Sequence, residues 1–143
     1  MSLMRTSARS GVKALLIAAL VALALPTAAE PLGYHFRTPS GNIQCFGESF
    51  FVRCDIARTS VKPSAKPRSC KFDWGNAFEL RQGGRGHRAC VSDSTFGARR
   101  VLRYGQTMRI GRKLSCTSRR AGLTCRNAEG HGFFLSRDAI RLF

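Results

Sequence analysis

Two stretches decide the fold: Ile43-Gln44-Cys45 with Arg53-Cys54-Asp55, and Leu114-Ser115-Cys116 with Thr124-Cys125-Arg126. In each, eight residues separate the two cysteines. Each pair spans one candidate hairpin. Directly opposed, non-hydrogen-bonded residues of an antiparallel pair lie about 4.5 Å apart at Cα, a separation that a disulfide accepts. The spacing points to two similar hairpins braced by Cys45–Cys54 and Cys116–Cys125. Cys70 and Cys90 are then left to close a loop of 19 residues. This is one of the 15 connectivities that six cysteines allow.

Working outward, the chain after Glu30 reads as short strands. Apolar, β-branched and aromatic residues come in brief runs punctuated by Gly, Asn, Ser and Pro. Residues 34–38, 42–46, 50–56, 101–104, 106–110, 114–117, 123–126 and 133–135 are the strand candidates. Ser60 to Ser69, with two prolines and three positive charges, reads as an exposed extended loop. Two helices are expected. Ser136 is placed to cap Arg137 to Leu142, with Asp138 suited to the positive end of the dipole. A second short helix is expected around Asn76 to Arg81. The expected fold is mostly β: a small disulfide-braced antiparallel sandwich or partly open barrel of about seven or more strands, closed by a short C-terminal helix.

The chain begins differently. Arg5, Arg9 and Lys13 precede twelve consecutive apolar residues, Ala14 to Leu25. Pro26 and the small residues Thr27-Ala28-Ala29 follow. This is the order of a secretory signal peptide, and twelve residues fall short of the roughly 20 that span a bilayer. The expected organisation is a signal peptide over 1–29 and one disulfide-rich β domain over 30–143. It predicts a secreted or periplasmic protein with no membrane span after processing. An even number of cysteines in a short exported chain fits disulfides in an oxidising compartment. Zinc is the competing reading, but its ligands usually come in pairs two to four residues apart. Here the gaps are 8, 15, 19, 25 and 8 residues. No metal and no cofactor is expected.

Several motifs run together: Thr38-Pro39-Ser40-Gly41-Asn42-Ile43-Gln44-Cys45, Cys54-Asp55-Ile56, Asp73-Trp74-Gly75, Gly122-Leu123-Thr124-Cys125, and Gly130-His131-Gly132-Phe133. In order and spacing they resemble a family of small exported bacterial proteins known only as a domain of unknown function. The resemblance spans Phe36 to the C-terminus. It implies export, six paired cysteines and one compact domain. It implies no reaction, ligand or catalytic residue.

Charge is the loudest functional signal. The whole chain carries 24 Lys+Arg against 8 Asp+Glu. Beyond residue 29 there are 17 Arg, 4 Lys and all 8 acids, a surplus of 13. Such a field favours anionic partners, and Arg forks grip carboxylate and phosphate at two points. The candidate anion-binding residues are Arg85, Arg88, Arg99, Arg100, Arg103, Arg119 and Arg120. Gly83-Gly84-Arg85-Gly86 suggests either a backbone concavity for an anion or a surface loop. His131, between two glycines, marks a tight turn or a close backbone approach.

The leading expectation is a non-enzymatic binding module for an anionic envelope or extracellular partner: an acidic polymer or an acidic protein, with nucleic acid possible through charge only. A small secreted hydrolase is the alternative. It would use His131 or His87 with a carboxylate; a nuclease-like version would pair two of His35, His87 and His131 with Lys71 or Lys113. Paired carboxylates for glycoside hydrolysis could come from Glu48, Asp55, Asp73, Glu79 or Asp93, though among 21 basic residues most of these acids read as ion-pair partners. An inhibitor of a secreted enzyme is a third reading. Trp74, with Phe72 and Phe78, reads as core, or less favourably as a sugar platform. Gly-x-Ser-x-Gly, P-loop and His-Glu-x-x-His motifs are absent.

Overall fold

The computed structural model describes residues 33–143; the leader expected over 1–29 lies outside them. Eleven strands follow one another: β1 (Tyr34–Arg37), β2 (Ile43–Glu48), β3 (Phe51–Ile56), β4 (Asp73–Arg81), β5 (His87–Val91), β6 (Arg100–Val101), β7 (Thr107–Ile110), β8 (Leu114–Arg119), β9 (Gly122–Asn127), β10 (Gly132–Leu135) and β11 (Ile140–Leu142). They form two sheets, ordered β5-β4-β3-β2-β1-β6 and β11-β10-β9-β8-β7. Both sheets keep two free edges, so neither closes into a barrel.

Each sheet is a five-stranded antiparallel meander, β1 to β5 and β7 to β11, and the first adds β6 beside β1 in parallel. The chain therefore uses one plan twice. Cys45 lies opposite Cys54 in β2–β3, and Cys116 opposite Cys125 in β8–β9. Both pairs are disulfide-bonded, with Cα atoms 4.0 Å apart. Phe78 sits across from Cys54, as Phe133 sits across from Cys125. Strict alternation turns Ile43, Cys45, Val52, Cys54 and Ile56 inward from one sheet. Leu114, Cys116, Leu123 and Cys125 turn inward from the other. The two plans meet in the middle of this core: the Phe78 and Phe133 rings are 6.3 Å apart, and the Sγ atoms of Cys54 and Cys125 are 3.9 Å apart. Neither sulfur carries a hydrogen, so that contact is dispersion between two stacked disulfides.

Three expectations are corrected. No helix occurs among the described residues. The C-terminal segment, expected as a helix over Arg137 to Leu142, is a turn and a strand. Ser136 does act locally: its Oγ accepts the Ala139 N–H at 3.0 Å, and its own N–H donates to the Ala139 carbonyl at 2.8 Å. This tightens a turn instead of opening a helix, and Ile140–Leu142 then pairs with β10. Six residues gain too few internal bonds to offset helix nucleation, and a free sheet edge offers them a ladder. Asn76 to Arg81, expected as a short helix, lies inside β4. A register shift between Trp74 and Phe78 breaks the alternation there. The antiparallel expectation also misses the parallel β1–β6 pair.

The third disulfide, Cys70–Cys90, ties the loop before β4 to β5. At the end of the sandwich where β4 passes to β5, buried Asn127 joins the two sheets. Its amide donates to the carbonyls of Arg81 at 3.1 Å and Gly84 at 2.8 Å. Its Oδ1 accepts the N–H groups of Glu129 and His131, both at 3.1 Å.

Candidate functional site

At the other end of the sandwich, five connections gather around one cleft of about 760 Å³. They are the β1–β2 turn, the chain leaving β3, the β6–β7 turn, the β8–β9 turn and the β10–β11 turn. Together they bring Arg58, Arg119, Arg120 and Arg137 to its walls, with Tyr104 and several hydroxyls. No acidic residue lines it.

Each arginine is placed by a local reason. Asn42 brackets the Arg58 backbone, with Oδ1 accepting its N–H at 2.9 Å and Nδ2 donating to its carbonyl at 3.0 Å. The Arg137 carbonyl accepts the Ser60 N–H at 2.8 Å and the Thr59 hydroxyl at 2.9 Å, which fastens the β10–β11 turn to the other sheet. Arg119 and Arg120 come from the tight β8–β9 connection, and the Arg120 guanidinium stacks over Tyr104 at 5.2 Å. Thr38, Thr59 and Ser136 spend their hydroxyls on nearby backbone. The guanidinium groups of Arg58, Arg119 and Arg120 have no carboxylate partner among the described residues. Arg137 has a loose one: Asp138 at 3.6 Å, with both side chains about three-quarters exposed. Asp138 lies just behind the wall, where it accepts the Ser60 hydroxyl at 3.2 Å; the free fork donors of Arg58, Arg119 and Arg120 can take a carboxylate, sulfate or phosphate group.

The seven arginines singled out from sequence divide. Arg119 and Arg120 enter the cleft. Arg103 directly precedes Tyr104; Arg99 precedes β6 and Arg100 opens it, both exposed. Arg85 lies at the opposite end and donates to the Leu142 carbonyl at 3.3 Å. Arg88 is spent inside the fold: it stacks on Phe78 at 4.9 Å and donates to the Gly75 carbonyl, and burial pushes it below the usual arginine range. Sequence reasoning missed Arg58 and Arg137, which stand alone in loops.

The glycine-rich turn already holds an anion of its own, because the Gly84 N–H donates to the Glu129 carboxylate at 2.9 Å. The close approach around His131 belongs to Gly132, where a Cβ would run into the Cys125 carbonyl. The histidines stay apart in their bonding. His35 bonds the Thr95 carbonyl at 2.7 Å, His131 engages only through its backbone, and His87 is exposed. Trp74 donates to the Ser64 carbonyl at 3.0 Å, Phe78 is core, and Phe72 is exposed.

A second hollow, of about 410 Å³, is lined by Asp55, Asp73, Asp93, Trp74 and Phe96 among others. Two of its carboxylates share Arg53, which grips Asp55 at 2.9–3.0 Å and reaches Asp93. Burial alone would lower Arg53; its hydrogen bonds and charge contacts to Asp55 and Asp93 outweigh this and raise it. Those bonds, then the Arg53 charge, hold Asp93 below the usual carboxylate range. A depressed carboxylate contributes stability that is present above its unfolded pKa of about 3.9 and lost as pH falls through its lower folded value. Acid titration followed by thermal melts is therefore expected to show a small loss below about pH 4, under roughly 1 kcal/mol because the Asp93 carboxylate is largely exposed. Asp93→Asn is expected to remove that increment of the acid limb.

The sulfurs of Cys54, Cys116 and Cys125 lie within 4.8 Å of one another, which resembles a thiolate metal cluster. All three are committed to the stacked disulfides and offer no thiolate. No helix among the described residues is long and apolar enough to cross a membrane. A family model described as a family of unknown function, DUF6636, matches residues 14–143. No curated protein and no solved structure matches the chain.

Proposed function

The chain belongs to the DUF6636 family, whose function is unknown, and from the cleft we propose that it is a non-enzymatic module that binds an anionic partner there. The observation that carries this reading is the cleft wall itself: four arginines from three separate connections, with no acid among the lining residues. Three of the four, Arg58, Arg119 and Arg120, have no carboxylate partner among the described residues, and gathering like charges in one wall is costly without a counter-charge. The net surplus of basic residues beyond residue 29 adds long-range attraction, with a reach of about 8–10 Å in physiological salt.

The compartment is proposed together with the partner. The leader-like segment over 1–29 and three disulfides favour export to an oxidising space, periplasm or medium. There the available polyanions are acidic surface polymers and acidic proteins. Arg99, Arg100 and Arg103, exposed close by in sequence to Tyr104, would widen the basic rim.

Retention on immobilised heparin is the test. The oxidised protein is expected to be held at low salt and released steeply as salt rises, because bound counterions are liberated on association. Arg119→Gln with Arg120→Gln is expected to weaken binding by about tenfold or more, in line with roughly 1.5–3 kcal/mol for charged hydrogen bonds. Retention that ignores salt, or that survives the double substitution unchanged, would remove the proposal.

A further inference from the structure

The two sheets differ sharply in the acids that their strands carry. The strands of the first meander carry four acids: Glu48, Asp55, Asp73 and Glu79. Strands β7 to β11 carry none. Their outward residues are mainly arginines, threonines and a serine, with Phe134 among them and Leu142 exposed at the edge. In one cross-strand row Arg109 faces Ser115, which faces Arg126. In the next, Thr107, Thr117, Thr124, Phe134 and Arg141 follow one another across all five strands.

We propose that the outer face of the second sheet is a track for a linear acidic polysaccharide that continues out of the cleft. The inference rests on the cleft reading and extends it. Arg119 joins the two surfaces: it lines the cleft and also a shallow hollow of about 250 Å³ on this face, with Ser115, Thr117, Thr124 and Arg126. Arg109, Arg126 and Arg141 stand on β7, β9 and β11. Strands lie about 4.8 Å apart, so a chain crossing them meets a cation roughly every 10 Å. A polymer with one carboxylate on every second sugar ring presents charge at a comparable repeat. The threonine and serine hydroxyls between the cations suit a polyhydroxylated chain.

The arginines are also held ready. Arg141 stacks on Phe134 at 4.2 Å, and Arg126 on Phe143 at 4.6 Å. Stacking fixes the guanidinium plane and leaves donors at its edge for a carboxylate. It also occupies one face of each ring. Single-stranded nucleic acid binds largely by stacking its bases on open rings, so rings occupied in this way favour the polysaccharide.

The experiment compares hyaluronan disaccharide and octasaccharide, which carry one carboxylate per two rings, by NMR titration at low and moderate salt. The octasaccharide is expected to bind at least tenfold more tightly than the disaccharide, with a steeper salt dependence. Arg109→Gln with Arg126→Gln and Arg141→Gln is expected to erase that gain and leave disaccharide binding intact. Arg109→Gln alone, at an exposed side chain, is expected to lose about threefold for the octasaccharide and guards against misfolding of the triple variant. Arg58→Gln with Arg120→Gln is expected to weaken both probes. An octasaccharide no tighter than the disaccharide, or a gain that survives the triple variant, overturns the track and leaves the cleft standing. Failure of both probes to bind removes the cleft reading as well. Tighter binding of a single-stranded oligonucleotide of equal charge overturns the track in favour of nucleic acid.

Discussion

Gly132→Ala is expected to abolish the native fold or to cost at least about 3 kcal/mol, the upper range for overpacking a core. Gly132 sits on β10 opposite Arg126 and next to Phe133, the buried partner of Cys125. A Cβ there would collide with the Cys125 carbonyl, reach within 2.9 Å of the Cys125 carbonyl carbon, and come within 3.1 Å of the Arg126 Cα. These are backbone atoms in a paired strand, so no side chain can swing aside to make room. The crowding continues on the other side. A Cβ on Gly86 would strike the Gly132 carbonyl, and the Phe143 backbone bonds Gly132 in both directions at 2.7 and 3.0 Å. One methyl group at position 132 therefore disturbs β9, β10, the C-terminal residue and the turn after β4. Urea denaturation followed by far-UV circular dichroism is the measurement. A midpoint within error of wild type would show that β9 and β10 can separate, contrary to the packing described. Gly130→Ala is a poor control, because Gly130 has a positive φ of 84°; His131→Ala, whose side chain makes no hydrogen bond, is the better one and is expected to be nearly neutral.

Removing both cross-strand disulfides, with Cys45, Cys54, Cys116 and Cys125 all changed to Ala, is expected to leave no cooperative unfolding transition at 25 °C. Each bridge closes a short loop with a sequence separation of 9 residues. The chain-entropy model gives roughly 2.5–3 kcal/mol for each. The four sulfurs are also core, with no exposed surface, so truncation leaves a cavity between the sheets where Cys54 and Cys125 meet. The two losses share that contact, so they are not additive. Their sum still compares with the whole stability of a small domain, about 5–15 kcal/mol. Differential scanning calorimetry of the quadruple variant is expected to show no heat-absorption peak. A sharp transition with full enthalpy would mean that the hydrophobic faces alone specify the sandwich.

The β character and the paired hairpins were legible because both rest on local rules. Alternation with period two marks a strand with one buried face, and equal cysteine spacing on two such hairpins places the sulfurs opposite one another. The rest depends on partners far along the chain. Residues 136–142 carry a serine in capping position as well as Ile140 and Leu142 at strand spacing, and the vacant edge of β10 decides between them. β4 was obscured by its own irregularity between Trp74 and Phe78. Arg58 and Arg137 have no local signature; a contact between residues 78 apart, Thr59 and Arg137, puts them in one wall. Arg88 looks like any surface arginine in sequence, and only the Phe78 ring beneath it shows otherwise.

The repeated meander sets the order in which the molecule can be made. As the chain emerges, the first five strands can zip together by nearest-neighbour hairpins, yet Phe36, Val52, Phe78 and Leu80 then lie bare on one side. Their shelter, Leu114 to Leu135, comes later in synthesis. The half-made protein is thus a sticky plate waiting for its lid, and any holding factor that attends its birth has that interval in which to act.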